Sequence, residues 1–389
     1  MLRRYVAARL VAGLFGLLLF LTVIFFLTRI MVPGDFSTNF AVGSGGAFAG
    51  LAERLGLNRP LWQQYLLWLG GVLTLDLGRS PGGPPVLQIV LAALPWTLTM
   101  FVLGLGTAFW VGSRVGRWAG WRRRFTTPTS LGAATLSSIF PPWLVFLFFY
   151  MTVNLFGFRW FNTVTALDYY LWEVVREHRV LWTMLATLFG PLALSLGVER
   201  LISDRRRRRI WRYSSRAAIP LFALWAWDQA GISAHAFDLL GILMLPIVVL
   251  FLLSVGDVIL VVAAAVEGSH ESDFVTTARA KGLTDRQVRE RHAGRVALLP
   301  ALSRLTATLP FALGGLVIIE GSFGRLGGYR IDLPGVASVL FGSLRQRNFL
   351  VTMGGLIVVG MITLVVRIIL DLAAASLDPR IQLERATYG

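Results

Sequence analysis

The chain has 389 residues, of which 55% are hydrophobic and 15% are charged, and its mean hydropathy is +0.66. A water-soluble protein needs more polar surface than this, so the excess apolar area is expected to face lipid. A net charge of +16 would suit a nucleic-acid binder, but the basic residues stand at the ends of apolar runs instead of on a polar face. The absence of cysteine excludes disulfides, thiolate catalysis and cysteine-ligated metals.

Apolar runs with at most one charged residue, each a candidate to cross a bilayer, recur along the chain. A helix rises about 1.5 Å per residue, so a hydrocarbon core of about 30 Å needs about 20 residues. We predict an all-α, polytopic transmembrane bundle of about eight spans, within residues 10–28, 86–113, 125–158, 180–198, 217–232, 239–266, 301–319 and 349–366. The run at 217–232 is short and contains Pro220 and Asp228, so it would also suit a re-entrant or interfacial segment.

The positions of the arginines predict the orientation, because positively charged short loops are retained on the cytoplasmic side. With the N-terminus inside and eight spans, the inside segments hold 26 of the 37 Lys and Arg residues. Both termini are therefore predicted to be cytoplasmic. The first span has a long uncharged run with no small-residue cleavage site directly after it, which favours a retained signal anchor over a cleaved signal peptide.

The inside segment between the sixth and seventh spans predicts two helices joined by a tight turn. Asp273 is a candidate N-cap for the first helix, and Gly282 can adopt the left-handed conformation that ends it. Thr284 and Gln287 have the spacing of a capping box, which predicts a second helix running towards Pro300. On spacing alone, this basic loop would equally suit an amphipathic element beside lipid headgroups.

A resemblance to a known family is centred on this turn. The residues that carry it are Thr277, Ala278, Arg279, Ala280, Lys281, Gly282 and Leu283, followed by Val288, Arg291, His292, Arg295 and residues 298–300. They resemble the coupling-loop signature of the dipeptide/oligopeptide/nickel class of ABC importer permeases. Further similar stretches lie at residues 3–5, 32–35, 59–65, 76–80, 320–323 and 377–380.

The resemblance implies a permease subunit of an ATP-driven importer in a bacterial plasma (inner) membrane, forming half of the translocation pathway. The turn would dock into a cytoplasmic ATPase subunit, with Ala278 and Gly282 in close contact and Arg279 and Lys281 at the rim. The chain would not be an enzyme and would bind no cofactor. ATP and Mg would be held by the partner, since Lys281 is the only lysine and a phosphate-binding loop needs Gly-Lys-Ser/Thr.

The resemblance also implies the remaining partners and the cargo. The partners are a second homologous permease subunit, an extracytoplasmic solute-binding protein and membrane lipid, with no nucleic acid. The cargo would be a peptide or similar small polar solute.

The domain organisation combines the spans with this resemblance to an ABC importer type I permease core carrying an inserted helix pair. The predicted segments are the signal-anchor span 1–32, an extracytoplasmic segment 33–85 with an amphipathic helix near 61–69, core spans 86–157, an insertion 158–238 with two extra spans and a cytoplasmic Arg-rich loop, core 239–376 with the coupling loop at 267–300, and a cytoplasmic tail 377–389.

Polar groups inside the predicted spans are candidates for the transport pathway, because charge in the bilayer is costly unless it faces a cavity or a partner. Asp257 and Asn154 are the two pathway candidates, and Arg304 is a candidate ion-pair partner for Asp257. Glu320 lies near the end of its span and is expected to reach the interface.

Two alternatives belong to other classes of protein. An ion-driven carrier or channel would need no docking turn. An intramembrane enzyme has less support, because the four histidines are scattered and the sequence contains neither a His-Glu-x-x-His pair nor a Gly-x-Ser-x-Gly elbow.

Overall fold

The computed structural model describes residues 2–31, 59–80, 83–155, 174–323, 335–346 and 348–377. Its helices are, in chain order, α1 (Leu2–Met31), α2 (Leu61–Leu73), α3 (Val86–Trp121), α4 (Arg123–Ser137), α5 (Pro141–Leu155), α6 (Val174–Leu201), α7 (Arg205–Gln229), α8 (Ser233–Gly268), α9 (Asp273–Ala280), α10 (Gly294–Phe323), α11 (Val336–Arg345) and α12 (Phe349–Leu377). A short helix, Asp285–Gln287, and a π-helical stretch, Val288–Ala293, lead directly into α10. The predicted all-α class is confirmed.

Six of the described helices are long and apolar enough to cross a membrane: α1, α3, α6, α8, α10 with its leading stretch, and α12. Helices α4 and α5 make a seventh candidate, which is bent by 92° at the break between them. Helix α7 contains most of the predicted fifth span, but it is not among these candidates, and it begins with five arginines. The described residues therefore hold six or seven candidate spans, compared with about eight predicted.

Helix α8 is the centre of the bundle and packs along α3, with α4 and α10 beside it. Trp96 and Met100 of α3, Leu250 of α8, and Leu309 and Leu316 of α10 are fully buried in one apolar cluster. Lipid tails are as apolar as these side chains, so such helices associate mainly through close van der Waals packing. Close packing along α3 and α8 therefore sets the framework of the fold.

The N-terminal helix α1 packs against α12 and against the short helix α2. The hydroxyls of Thr22 and Tyr65 are hydrogen-bonded over 2.7 Å, and the ring centroids of Phe25 and Trp68 lie 5.1 Å apart. Leu66 and Leu67, also on α2, are exposed. Helix α2 covers the stretch predicted to be amphipathic, and one of its faces contacts a span.

Helices α6 and α7 form an antiparallel hairpin within the predicted insertion. Trp227 donates to the Thr187 hydroxyl at 2.9 Å, and the Ser195 and Ser215 hydroxyls are 2.7 Å apart. Near the arginine-rich end, Arg212 donates to the Glu199 carboxylate from both Nε and Nη2. The first part of the insertion, residues 158–173, lies outside the described residues.

Candidate functional site

Helix α9 and the turn after it form the element predicted to couple the spans to a partner. The N-cap position of α9 is Ser272, so the prediction of Asp273 was wrong by one residue, and Asp273 instead lies in the first turn. Serine and aspartate are comparably good N-caps, so the sequence alone does not decide between two adjacent candidates. The carboxylate of Asp273 still lies at the favourable end of the helix dipole.

The turn that ends α9 has the hydrogen bonds of a Schellman motif. Gly282 adopts a φ of 75°, which strains residues that carry a β-carbon. Its N–H donates to the Arg279 carbonyl at 2.9 Å, and the N–H of Leu283 donates to the Ala278 carbonyl at 3.3 Å. The conformation of the turn is thus fixed by its own backbone, as the position of the glycine predicted.

The helix after the turn begins with the predicted capping box. The N–H of Thr284 donates to Oε1 of Gln287 at 3.1 Å, and the N–H of Gln287 donates to Oγ1 of Thr284 at 3.4 Å. The π-helical stretch Val288–Ala293 follows at once and was not predicted. It carries Arg291 and His292, and both side chains are exposed.

The inner face of this helical turn is buried in the protein's own core. Val275, Ala278 and Val288 are at most 4% exposed and pack in one cluster with Val262 of α8 and Ala297 of α10. This differs from the expectation that Ala278 makes close contact with a partner, since its side chain faces the protein's own core. Small residues suit both a packed face and a docking face, so the sequence did not distinguish them.

The tip of the turn is open to solvent. Thr277, Arg279, Ala280, Lys281 and Gly282 are exposed, and Leu283 is half-buried. Nothing within the described residues lies within 4 Å of a β-carbon built on Gly282. A partner could therefore approach the backbone there.

Helix α3 contacts the turn and the stretch after it through two of its own residues, Arg117 and Trp121, which were not predicted as functional. Arg117 forms an ion pair with Glu290 of the π-helical stretch at 3.3 Å. The Arg279 guanidinium lies 5.4 Å from the ring centroid of Trp121 and 3.6 Å from the Asp285 carboxylate. The sequence signal for this contact is a set of glycines spaced by four on α3, at positions 112, 116 and 120, which indicates a close approach between helices.

The candidate pathway residue Asp257 lines a cavity of about 510 Å³ between α3, the α4–α5 break, α8 and α10. Arg304 lines the same cavity, and its Nη2 is 3.8 Å from Oδ1 of Asp257. Asn154 lies at the end of α5, and its side chain falls outside the part of the molecule that the structure describes.

Glu320 corrects an expectation, because it is fully buried and does not reach the interface. Its carboxylate accepts hydrogen bonds from the Thr97 hydroxyl at 2.9 Å, the Ala337 N–H at 2.9 Å and the Ser338 N–H at 3.3 Å. Glu320 therefore binds the first turn of α11 and joins it to α3.

Comparison with known proteins identifies the family. The profile of the family described as the binding-protein-dependent transport system inner membrane component matches residues 112–383. The chain belongs to this family. The expected resemblance to ABC importer permeases is thereby confirmed.

Several relatives match most of this permease. A protein of Brucella ovis provisionally named a peptide permease is 28% identical over 389 aligned residues, covering 97% of this chain and 99% of the relative. The dipeptide transport system permease protein DppB of Escherichia coli is 26% identical, with coverage of 90% and 91%. The oligopeptide transport system permease protein AppB of Bacillus subtilis is 26% identical, with coverage of 85% and 83%.

The chain is thus a permease subunit of an ABC importer and a multi-pass component of the inner membrane. It is a transport subunit and not an enzyme, because such systems hydrolyse ATP in a separate subunit. Membership of this family also implies ATPase and solute-binding-protein partners.

Proposed function

We propose that this permease carries short peptides or similar small polar solutes and is driven through residues 277–283, which dock into a cytoplasmic ATPase subunit. The observation that carries the docking proposal is a turn with an open tip and a buried base. The peptide cargo is proposed from the names of the relatives DppB and AppB, which are a dipeptide and an oligopeptide permease.

Because its base is buried, the turn can transmit a movement to the long helices against which it packs. Val275 and Ala278 pack against side chains of α8 and α10, and Arg279 and Glu290 join the same element to α3. A displacement imposed on the tip by an ATPase would therefore move three long helices together. If only exposed loop residues held the tip, its displacement would not move the helices.

The tip offers backbone and positive charge to the partner. Gly282 presents no side chain, so a cleft can close on the main chain, while Arg279 and Lys281 supply charge at its rim. Lys281 is the only lysine in the chain. In this proposal the turn and both termini are cytoplasmic, and a second homologous permease subunit completes the pathway.

A glycine-to-asparagine substitution tests docking with little disturbance of the permease itself. Asparagine tolerates the left-handed backbone better than other side chains, and nothing in the described residues approaches a β-carbon at Gly282. Gly231 gives a matched control, because it has a φ of 66°, equally open space and a place in the turn between α7 and α8.

We expect Gly282→Asn to reduce peptide uptake and the ATPase activity stimulated by the binding protein by about tenfold or more, equivalent to about 1.4 kcal/mol of coupling. Gly231→Asn should leave both near the wild-type values. Both rates are measured on the complete transporter in proteoliposomes. Equal rates for the two variants would overturn docking at this turn, and loss of the ATPase subunits on copurification of Gly282→Asn would support it directly.

A further inference from the structure

We propose that the cavity between α3, the α4–α5 break, α8 and α10 is a binding site for peptides with free termini, in which Asp257 binds the α-ammonium group and Arg304 binds the α-carboxylate. This inference rests on the proposed peptide cargo and adds the groups by which the permease itself recognises it.

The size of the cavity suits a short peptide. Its volume of about 510 Å³ falls within the range of roughly 300–1,000 Å³ that ligand pockets commonly have. An extended chain spans about 3.5 Å per residue, so a dipeptide places its two termini about 7 Å apart. A dipeptide therefore suits a cavity of this volume, and the Asp257 and Arg304 side chains would move apart from their 3.8 Å contact to reach both of its termini.

The ion pair in the cavity leaves part of its hydrogen-bonding capacity unused. Its single contact measures 3.8 Å, and the Asp257 and Arg304 side chains are 34% and 53% exposed. The pair between Glu199 and Arg212 is tighter, since Arg212 Nε donates to the carboxylate at 2.8 Å and Nη2 donates as well. The Asp257–Arg304 pair thus retains free acceptor and donor capacity on both sides.

The charges of a zwitterionic peptide complement this pair. Asp257 can accept charge-assisted hydrogen bonds from an ammonium group, and the planar guanidinium of Arg304 can bind a carboxylate through two of them. The pair and the peptide each sum to zero charge, so binding adds no net charge within the bilayer region. A solute that lacked one terminus would leave the opposite residue of the pair without its ligand.

The remaining lining predicts weak selection among side chains. Asp257 and Arg304 are the only charged residues among the described lining residues, and most of the others are apolar, as Leu250, Leu253 and Leu305 illustrate. The Thr308 hydroxyl already donates to the Arg304 carbonyl at 3.0 Å. Recognition would therefore depend on the peptide termini, while the apolar walls would accept different side chains.

The cavity is linked to the coupling turn. Val258 and Ala301 line the cavity and also belong to the buried cluster that holds Val275 and Ala278 beneath the turn. A movement of the turn would thus shift the cavity wall directly. The ATPase-driven step would in this way change the shape of the peptide site.

The test measures peptide binding to the transporter without its solute-binding protein, so that only the membrane complex is probed. Four unmodified homodipeptides, of glycine, alanine, leucine and phenylalanine, which all sum to zero charge, are tested by saturation-transfer NMR, together with N-acetylated and C-amidated dialanine. The variants are Asp257→Asn, Arg304→Gln and the double variant, which removes both charges and stays neutral. Asp228→Asn is the control, because Asp228 is exposed and lies outside the cavity.

We expect the wild type and Asp228→Asn to bind all four dipeptides, the two modified dialanines to bind about tenfold more weakly, and the three cavity variants to lose about tenfold or more in affinity. Absence of binding to the wild type, or equal binding by the wild type and the folded double variant, would overturn the proposal. ATP-driven uptake of the same dipeptides by the complete wild-type transporter separates the two claims. If the transporter takes up the dipeptides but the cavity does not bind them, this site is contradicted and the proposed function stands. If the transporter takes up none of them, the peptide cargo itself is contradicted.

Discussion

Gly120 of α3 lies so close to Ala263 of α8 that a β-carbon at residue 120 would fall 2.3 Å from the Ala263 carbonyl oxygen. The same contact continues along α3, where β-carbons at Gly112 and Gly116 would fall 2.8 Å from Val258 and Val262. Residues spaced by four lie on one face of a helix, so these glycines form a continuous strip against α8. The strip lets the two backbones approach each other beside the coupling turn.

Gly120→Ala is therefore expected to destabilise the permease. The added methyl group meets backbone and not the movable end of a side chain, and overpacking of this kind costs about 1–3 kcal/mol. Thermal unfolding of the detergent-solubilised transporter should show a lower melting temperature for this variant. Gly106→Ala is the matched control on the same helix, because nothing described lies within 4 Å of its β-carbon. Equal melting temperatures for the two variants would contradict the close approach of α3 and α8.

Glu320→Ala should loosen the start of α11. The carboxylate accepts the backbone N–H groups of Ala337 and Ser338, and a buried N–H left without an acceptor costs about 1–3 kcal/mol. Hydrogen–deuterium exchange of Val336–Arg345 should accelerate in Glu320→Ala and less in Glu320→Gln, which keeps one acceptor oxygen. Glu267→Ala removes an exposed glutamate from the end of α8 and should leave this exchange unchanged. Unchanged exchange in all three variants would mean that Glu320 does not anchor α11.

The sequence predicted the features of the coupling turn that local rules determine. The left-handed Gly282 and the Thr284–Gln287 capping box depend on residues at most three positions apart, so their spacing was sufficient. Glu320 could not be placed this way, because Thr97 is 223 residues away in the chain and α11 is too short to be recognised as a partner. For Asp257, the sequence left two roles open, an ion pair with Arg304 or a place in the transport pathway. The positions of these two residues along the chain gave no sign of the cavity that both of them line.

The contact between Glu199 and Arg212 should hold the α6–α7 hairpin together. The carboxylate is nearly buried, and Arg212 donates to it twice, whereas Arg208 approaches it only to 3.7 Å. A double-mutant cycle with Glu199→Ala and Arg212→Ala is expected to give a coupling energy of about 1 kcal/mol. The matched cycle with Arg208→Ala should give a smaller value. The assignment fails if the two couplings are equal, as would happen if the arginines acted only through their general charge.

The α6–α7 hairpin also predicts where the arginine run lies relative to the membrane. Contacts at Thr187–Trp227 and Glu199–Arg212 keep the two helices side by side over 12 residues of α6, or about 18 Å. Helix α6 is a candidate span and α7 runs back along it, so α7 should cross the same thickness of membrane even though its composition is too polar to qualify alone. Its arginines would remain at the cytoplasmic surface, beside anionic headgroups.

The chain contains no cysteine, so single cysteines can test this topology directly. We expect Arg207→Cys to be labelled by a membrane-impermeant maleimide from the cytoplasmic side, together with the reference variant Arg286→Cys beyond the coupling turn. Ser233→Cys, at the start of α8, should be labelled from the opposite side, together with Trp62→Cys on α2. Labelling of Arg207→Cys and Ser233→Cys from one side would remove the crossing by α7. The arginine run and the coupling turn would then lie on opposite sides of the membrane, against the orientation that the distribution of arginines predicts.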